Sequence, residues 1–354
     1  MVDTNVPGGR SPLRAALGAA LVVASLAGCD AVDDGGAAVG PSGPVAVLQG
    51  VHDPGRIVRL DDRWVFFASA IEWWSADGLG GPWEHHTRDL YHDGPPPWYD
   101  GEDLWAPSAV EVHGGLRVYH SAVTNEDQHA SMIGFAEVVG PPEDLEVLTV
   151  EHPVVESTST AEPFAIDPSV LVDLDDRHWL IYGSHARGIV GVELDPDTGL
   201  LLEGPDRLRW TPNDDRFTVL ANYGGVLDEN NVEAAYVHAD PTTGWYTMFV
   251  NWERCCAGVD SDYTIRIGRS RNPMGPYLDR DGVDLADGGG TVFLDPNGEI
   301  LGNDRFVGPG HAAVVEHDTQ LYLSHHFYDA DADGQPSWAL WRMTIDQGWP
   351  SVDR

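Results

Sequence analysis

Three acidic side chains and one histidine occupy corresponding positions of a repeated sequence pattern. They are Asp53, Asp167, Glu233 and His311, and each stands shortly before an apolar run. Two carboxylates held apart across a pocket are the groups that glycoside hydrolysis needs, because one must be protonated while the other is ionised. Asp-Pro is also a common turn before a strand, which explains any single acid without chemistry. Their shared register favours a common site.

The repeated pattern predicts the elements that position these side chains. Each of five copies has a short polar or proline-containing start, an apolar strand, a turn rich in Asp or Gly, and an aromatic strand ending near Ser. The first strands begin near residues 53, 106, 167, 233 and 310. Such intervals fit four-stranded blades with loops. We therefore expect an all-β, five-bladed β-propeller in which equivalent positions meet around a central channel.

Composition supports a folded, turn-rich protein. The 354 residues include 57 Asp and Glu against 20 basic residues, all of them Arg, for a net charge of -37. A surface this acidic repels nucleic acid, whose phosphates need basic side chains. The 40 Gly and 25 Pro disfavour long helices, while 13 Trp and a hydrophobic fraction of 42% provide a core.

The first 29 residues are predicted to be a lipoprotein signal peptide. Arg10 and Arg14 precede an apolar run, residues 15–28, that is too short to span a bilayer comfortably. The run ends in Leu26-Ala27-Gly28-Cys29, which resembles the bacterial lipobox, so we expect Cys29 to be lipidated; an ordinary cleaved signal is the alternative. Residues 30–45 then form a flexible tether and 46–354 the propeller. An exported protein, periplasmic or at the cell surface, would reach the membrane only through its lipid.

Five segments carry a resemblance to a known family. They are His52-Asp53-Pro54, Trp105-Ala106-Pro107, Ala165-Ile166-Asp167-Pro168, Glu233-Ala234-Ala235-Tyr236 and Gly308-Pro309-Gly310-His311. Over about residues 46 to 350 the chain resembles glycoside hydrolase family 43, a family of five-bladed β-propellers, and within it the endo-1,5-α-L-arabinanases. Two motif positions depart from the family pattern, with Ser108 where Asp is common and Ala235 where Pro is common.

The resemblance implies roles for the four ionisable side chains. Asp53 would be the general base that activates water, Glu233 the general acid, and Asp167 the residue that orients the acid and modulates its pKa. Inversion at the anomeric carbon would require a gap of roughly 6.5–9.5 Å between acid and base. His311 would face a channel-bound cation, usually calcium, although Ca²⁺ prefers six to eight oxygens.

The same resemblance suggests residues that contact the sugar. Trp105 would lie flat along a furanose ring, whereas most of the Trp residues are expected to pack within blades. Further candidates for sugar hydroxyls are Ser184, His185, Asn231 and His52, and Asn231 could equally be part of a turn. One member of the pair His325-His326 could face the channel beside His311, since neighbouring strand residues point to opposite faces.

The expected function is hydrolysis of α-1,5-linked L-arabinofuranose chains, a neutral polysaccharide, by a monomeric enzyme. An exo-acting α-L-arabinofuranosidase or β-xylosidase of the same family is one alternative. A non-catalytic glycan-binding lipoprotein is another, although such a protein has no need of three intact acids. The adjacent Cys255 and Cys256 are either a vicinal disulfide, which an oxidising compartment allows, or two free buried thiols.

Overall fold

The computed structural model describes residues 43–354, except for 89, 93, 100, 102–103, 125–127, 150–151, 203–208 and 224–230. The predicted signal peptide, Cys29 and most of the predicted tether lie outside the described residues. Twenty-two strands in the described part form five antiparallel sheets, each of which is one blade. The helices found there are single 3₁₀ turns, at Ser69–Ile71, Gly258–Asp260, Leu285–Asp287 and Ala330–Ala332. None of the described helices has the length and apolarity needed to cross a membrane.

The first four blades follow chain order after the opening strand β1, Ala46–Gln49. Blade 1 contains β2 Val58–Leu60, β3 Arg63–Ala68, β4 Glu72–Ala76 and β5 Glu84–His86. Blade 2 contains β6 Leu104–Val112, β7 Gly115–Val123, β8 Ser131–Val139, β9 Glu146–Thr149 and β10 Val155–Ser157. Blade 3 contains β11 Ser169–Val172, β12 His178–Tyr182, β13 Ile189–Leu194 and β14 Thr218–Ala221. Blade 4 contains β15 Val232–Asp240, β16 Trp245–Trp252, β17 Thr264–Ser270 and β18 Thr291–Leu294.

Blade 5 joins the two ends of the propeller sequence. Its strands β19 Phe306–His317, β20 Gln320–Asp329 and β21 Gln335–Asp346 come from the C-terminal end. Both β1 and β22, Trp349–Val352, pair with β21, so the first and last strands of the described chain share one sheet. The predicted four-stranded blades are therefore present, and blades 2 and 5 each carry one strand more.

Five hydrophobic clusters fill the spaces between neighbouring blades and show that the blades close into a ring. Every cluster combines buried side chains from two adjacent blades, including blades 5 and 1. Representative pairs are Phe67 with Val118, Phe135 with Leu180, Ile181 with Met248, Phe249 with Trp341, and Trp338 with Phe66. Because each blade buries both faces against its neighbours, the fold is a five-bladed β-propeller, as predicted.

The same β-bulge occurs where each innermost strand enters the channel. In blade 2, Trp105 lies opposite Ser121 and Ser108 opposite Tyr119, so three steps on one strand match two on the other. Pairing shows the same mismatch in blades 4 and 5, and hydrogen bonds show it in blades 1 and 3. The first bulge residue has a φ between 47° and 58° in every blade. These residues are Asp53, Ala106, Asp167, Ala234 and His311.

These bulges correct the predicted register at one position. Asp53, Asp167 and His311 are structurally equivalent, but Glu233 lies one residue before its bulge, at the position that Trp105 has in blade 2. A non-glycine residue with positive φ costs about 1–2 kcal/mol, and bulges of this kind re-aim side chains next to functional sites. Because of the bulge, the first bulge residue and the residue before it both point toward the channel. Regular alternation along a strand would point only one of them there.

Candidate active site

His311 lies between two of the predicted acids at the channel mouth. Its Nδ1 is 3.1 Å from Asp53 Oδ1, and its Nε2 is 3.7 Å from Asp167 Oδ1. Asp167 also binds the backbone next to Glu233, because its Oδ2 accepts the Ala234 N–H at 3.1 Å. The side chains of Asp53 and Glu233 are 16% and 13% exposed, so both remain open to a ligand. The three carboxylates thus share one small, mostly buried chamber.

A ring of hydrogen bonds between blades holds the bulges in place. In four blades, the N–H of the first bulge residue donates to a side chain on the residue opposite the bulge in the preceding blade. The distances are 3.0–3.1 Å, and the acceptors for Asp53, Ala106, Asp167 and His311 are His326, Ser69, Ser121 and Asn251 respectively. Each blade therefore fixes the backbone on which its neighbour presents a functional side chain.

The fifth hydrogen bond of this ring is different, and the difference positions Asp167. The corresponding acceptor would stand at position 183, but Gly183 has no side chain. Its φ is 136°, and a Cβ there would lie 2.2 Å from the Gly188 carbonyl oxygen. The Ala234 N–H donates to the Asp167 carboxylate instead, which brings that carboxylate beside Glu233.

Glu233 is held by a second set of groups. The Ser184 hydroxyl donates to Glu233 Oε2 at 2.7 Å, and His185 Nε2 lies 3.5 Å from the same oxygen. The buried Tyr263 side chain also lies close to the Glu233 carboxylate. Gly310 leaves room for this tyrosine, since a Cβ there would lie 2.2 Å from the Tyr263 ring. Glu233 is thereby oriented from blades 3 and 4.

Asp53 is held by neighbours on both of its oxygens. His52 Nδ1 lies 2.8 Å from Oδ1, and the Ser69 hydroxyl donates to Oδ2 at 2.7 Å. The same Ser69 oxygen accepts the Ala106 N–H of blade 2. The Asp53 carboxylate is therefore fixed in position while part of it faces the channel.

The electrostatics divide the carboxylates into different protonation states. Burial works to raise the pKa of Asp53, but the charges of His52 and His311 hold that pKa well below its ordinary value. Burial also opposes the charged form of His311, yet Asp53 and Asp167 raise the His311 pKa to about 9. Burial, together with the nearby acids Glu233 and Asp53, raises the pKa of Asp167 to about 7. The cluster thus combines an ionised Asp53 with a carboxyl group that holds a proton near neutral pH, and these groups titrate together.

The five residues predicted to contact the sugar differ in their burial and in their hydrogen-bond partners. Ser184 is fully buried and donates to Glu233, so it supports the acid and is not available to a sugar, contrary to the prediction. His185, 40% exposed, lies at the mouth, and partly buried Trp105 packs beside the cluster that contains Phe164. The carbonyl of Asn231 accepts the Glu253 N–H, which extends the pairing of β15 with β16 by one residue. The fifth candidate, His52, contacts Asp53 as described above.

Several supporting residues were not singled out from the sequence. Ser69 and Ser121 match the repeated pattern of an aromatic strand ending near Ser, so the repeat itself contained that signal. His326 does face the channel, with its ring 4.4 Å from that of His52 and stacked on it. His325 points away and bonds the His326 carbonyl, which confirms that one member of this pair faces the channel.

The side chains around His311 offer a limited set of ligand atoms for a cation in the channel. His52, Asp53 and His326 offer ligand atoms within 4.8 Å of one another, and the buried His311 Nδ1 lies 3.1 Å from Asp53 Oδ1. Nearby oxygen ligands from the described chain are the carboxylates of Asp53 and Asp167, fewer than calcium prefers. The site therefore fits a cation bound by His311 and largely by water, but not a protein cage.

The similarity of this chain to known proteins agrees with the geometry of the site. The model of glycosyl hydrolases family 43 matches residues 44–350. The extracellular endo-α-(1→5)-L-arabinanase 1 of Bacillus subtilis is 32% identical over 257 residues, 71% of this chain and 69% of that protein. The extracellular exo-α-(1→5)-L-arabinofuranosidase of Cellvibrio japonicus is 27% identical over 321 residues, 86% of each protein. The Cellvibrio cellulosa α-L-arabinanase complexed with arabinohexaose has a TM-score of 0.70 at 25% identity, covering 86% of this chain and 96% of the other.

Proposed function

Because the chain belongs to glycosyl hydrolases family 43, we propose that it hydrolyses α-1,5-linked L-arabinofuranose chains. The observation that carries the proposal is the convergence of Asp53, Asp167 and Glu233 around His311. A binding protein has no need of a buried carboxyl cluster, whose repulsion and desolvation cost stability. Catalysis gives that cost a purpose.

The reaction assigns a separate step to each carboxylate. Asp53, which stays ionised because its pKa is low, accepts a proton from the attacking water. The water oxygen bonds to the anomeric carbon as the glycosidic bond breaks, and Glu233 gives its proton to the leaving oxygen. Asp167 and Ser184 position Glu233 through the contacts at Ala234 N–H and Oε2. This single displacement inverts the anomeric configuration.

Arabinose rings of the substrate are proposed to lie against Trp105. Its indole occupies the register position that His52 and Glu233 have in their own blades, so it faces the same chamber. Loss of a stacking aromatic costs on the order of 0.5–1.5 kcal/mol beyond its buried area. We expect Trp105→Ala to raise KM for arabino-oligosaccharides about tenfold, with a smaller change in kcat, measured by steady-state kinetics.

The principal test is activity on linear arabinan. Asp53→Asn and Glu233→Gln should each lower kcat by at least about 100-fold, whereas the exposed control Glu299→Gln should match the wild type. Reaction progress followed by proton NMR should show the β-anomer as the first product. Arabinan binding without hydrolysis by the wild type, with that binding unchanged in Glu233→Gln, would favour the non-catalytic alternative.

Endo action is proposed on the strength of the relative that is 32% identical. The exo-acting relative, which covers more of the chain, favours the alternative. Chromatography of early products from linear arabinan separates the two, because mixed oligosaccharides indicate endo cleavage and arabinose alone indicates exo cleavage. Release of xylose from β-xylosides in place of arabinose would favour the β-xylosidase alternative.

We further propose one cation, calcium, at His311. When bound, it would supply positive charge between the Asp53 and Asp167 carboxylates, which an imidazolium supplies without it. The position of His311 between the Asp53 and Asp167 carboxylates supports this placement. Elemental analysis of the purified protein before and after chelation should find one equivalent of metal that His311→Ala fails to retain.

Export and lipid anchoring are also proposed. The relatives are named as extracellular proteins, and the sequence Leu26-Ala27-Gly28-Cys29 supports attachment at Cys29. Cys29→Ala should move the protein from the membrane fraction to the soluble fraction of an expressing bacterium. The catalytic unit is proposed to be a monomer that acts on neutral arabinan, and light scattering should give the mass of one chain.

A further inference from the structure

A disulfide between neighbouring residues lies beside the general base proposed above. Cys255 and Cys256 are joined in the loop that follows β16, so the pair is oxidised. Cys256 is exposed, and its Sγ lies 3.9 Å from His52 Nε2. Its φ is 64°, a left-handed conformation that non-glycine residues avoid. The pair thus holds an unfavourable backbone conformation at the edge of the active site.

A chain of hydrogen bonds leads from this pair to Asp53. The Cys256 N–H donates to the Tyr328 hydroxyl oxygen at 2.7 Å. Tyr328 Oη is 2.9 Å from His52 Nε2, and His52 Nδ1 is 2.8 Å from Asp53 Oδ1. When the His52 proton is on Nδ1, Tyr328 donates to Nε2 and His52 donates to Asp53. Every bond then has one donor and one acceptor.

Tyr328 makes the shared contact in this chain. It is buried, at 2% exposure, and its hydroxyl oxygen is the common partner of Cys256 and His52. The same loop supplies Ser261, which lies near Tyr328 and accepts the Ala257 N–H. The loop therefore determines where the Tyr328 hydroxyl lies, and that hydroxyl determines how the His52 ring is turned.

We propose that the Cys255–Cys256 disulfide is a positioning element of the reaction, acting through Tyr328 and His52 on Asp53. Joining two adjacent residues closes a small ring and removes backbone freedom that an open loop would have. Without the bond, Cys256 is free to leave the left-handed region, which L-residues avoid, and its N–H then turns away from Tyr328. The inference rests on the proposed function only in taking Asp53 as the base.

Reduction of the full-length protein tests the proposal. A water-soluble phosphine converts the disulfide to two thiols and is itself oxidised to the phosphine oxide with oxygen from water. We expect kcat on linear arabino-oligosaccharides to fall about tenfold with little change in KM, since His52 orientation affects the base and not the sugar contacts. Reoxidation should restore kcat. The Cys255→Ser, Cys256→Ser double variant should show the low kcat and no response to the reductant, which also controls for Cys29.

A double-mutant cycle distinguishes positioning from loss of structure. Tyr328→Phe removes the hydroxyl that links the two halves of the chain, so reduction should change kcat of this variant by less than twofold. The matched control is Tyr277→Phe, whose hydroxyl donates to the Pro273 carbonyl in an outer loop of blade 4. Reduction should lower kcat of that control as much as it lowers wild-type kcat.

Two results would overturn the proposal. One is an unchanged kcat in wild-type protein whose two thiols have been titrated as free. The other is an equal loss on reduction in Tyr328→Phe and the wild type, which would mean that the disulfide acts by another route. Absence of arabinan hydrolysis by the unreduced wild type would instead contradict the proposed function.

Discussion

Replacing Asp167 by Asn should stabilise the protein while impairing catalysis. The folded environment raises the pKa of this carboxyl from 3.8 to about 7, chiefly by burial and then by the neighbouring acids. At 1.36 kcal/mol per unit, ionisation at high pH costs the folded state up to about 4 kcal/mol. The neutral amide avoids this cost, and its oxygen can still accept the Ala234 N–H.

The gain should depend on pH in a defined direction. Below about pH 4 the carboxyl of Asp167 is protonated in the folded and unfolded chains, so it contributes no penalty. Between about pH 4 and 7 the unfolded chain releases the proton and the folded chain retains it, so wild-type stability falls as pH rises. The stabilisation by Asp167→Asn should therefore increase up to about pH 7 and then level off.

Thermal and urea unfolding at pH 5, 6, 7 and 8, with a chelator present, measure this dependence. Asp173→Asn is the matched control in the same blade, because the Asp173 carboxylate accepts hydrogen bonds from two backbone N–H groups and the Trp179 indole. That control should lose stability at every pH. In parallel, kcat/KM of Asp167→Asn should fall roughly 100-fold or more, since Glu233 loses the neighbouring acidic group that orients it and modulates its pKa. A gain that is the same at pH 5 and pH 8 would refute the reasoning.

Three further substitutions test the scaffold around the acid. Ser184→Ala should lower kcat up to about tenfold with KM nearly unchanged, because a hydrogen bond contributes about 0.5–1.5 kcal/mol; steady-state kinetics measure it. Gly310→Ala should displace the Tyr263 ring from Glu233, so kcat should fall more than thermal stability does. Deleting β1, Ala46–Gln49, should lower the melting temperature by several degrees or prevent folding, since blade 5 loses a strand that pairs with β21; calorimetry tests this.

Much of the architecture could be predicted because every copy of the repeat has the same order of residue types. Apolar strand, turn and aromatic strand recur five times, and a propeller converts that recurrence into neighbouring positions around one axis. The meeting of Asp53, Asp167 and His311 follows from their shared register. Closure of the ring by β1 was not predicted, because four residues at the end of a tether carry no repeat signal.

The exact position of Glu233 could not be read from the pattern. Sequence register assumes that each strand alternates regularly, but a bulge inserts one residue and changes which side chains face the channel. The residue types at the bulges did not predict the bulges, because Ala106 and Ala234 have a positive φ that glycine usually adopts. The role of Ser184 was also missed, since its partner Glu233 lies in another blade and 49 residues further along the chain.

The asymmetry of the site arises from one break in a repeated scaffold. Four blades bind the bulge of the next blade through a side chain that is not one of the three catalytic acids. In blade 3 the equivalent residue is Gly183, and the Asp167 carboxylate takes over the bond to Ala234 N–H. Because the Asp167 carboxyl group makes this bond, it is held beside Glu233. It cannot move away to reduce the repulsion between the two acids. Five equivalent blades would give five equivalent positions, so the paired acids depend on the one blade that lacks a side chain.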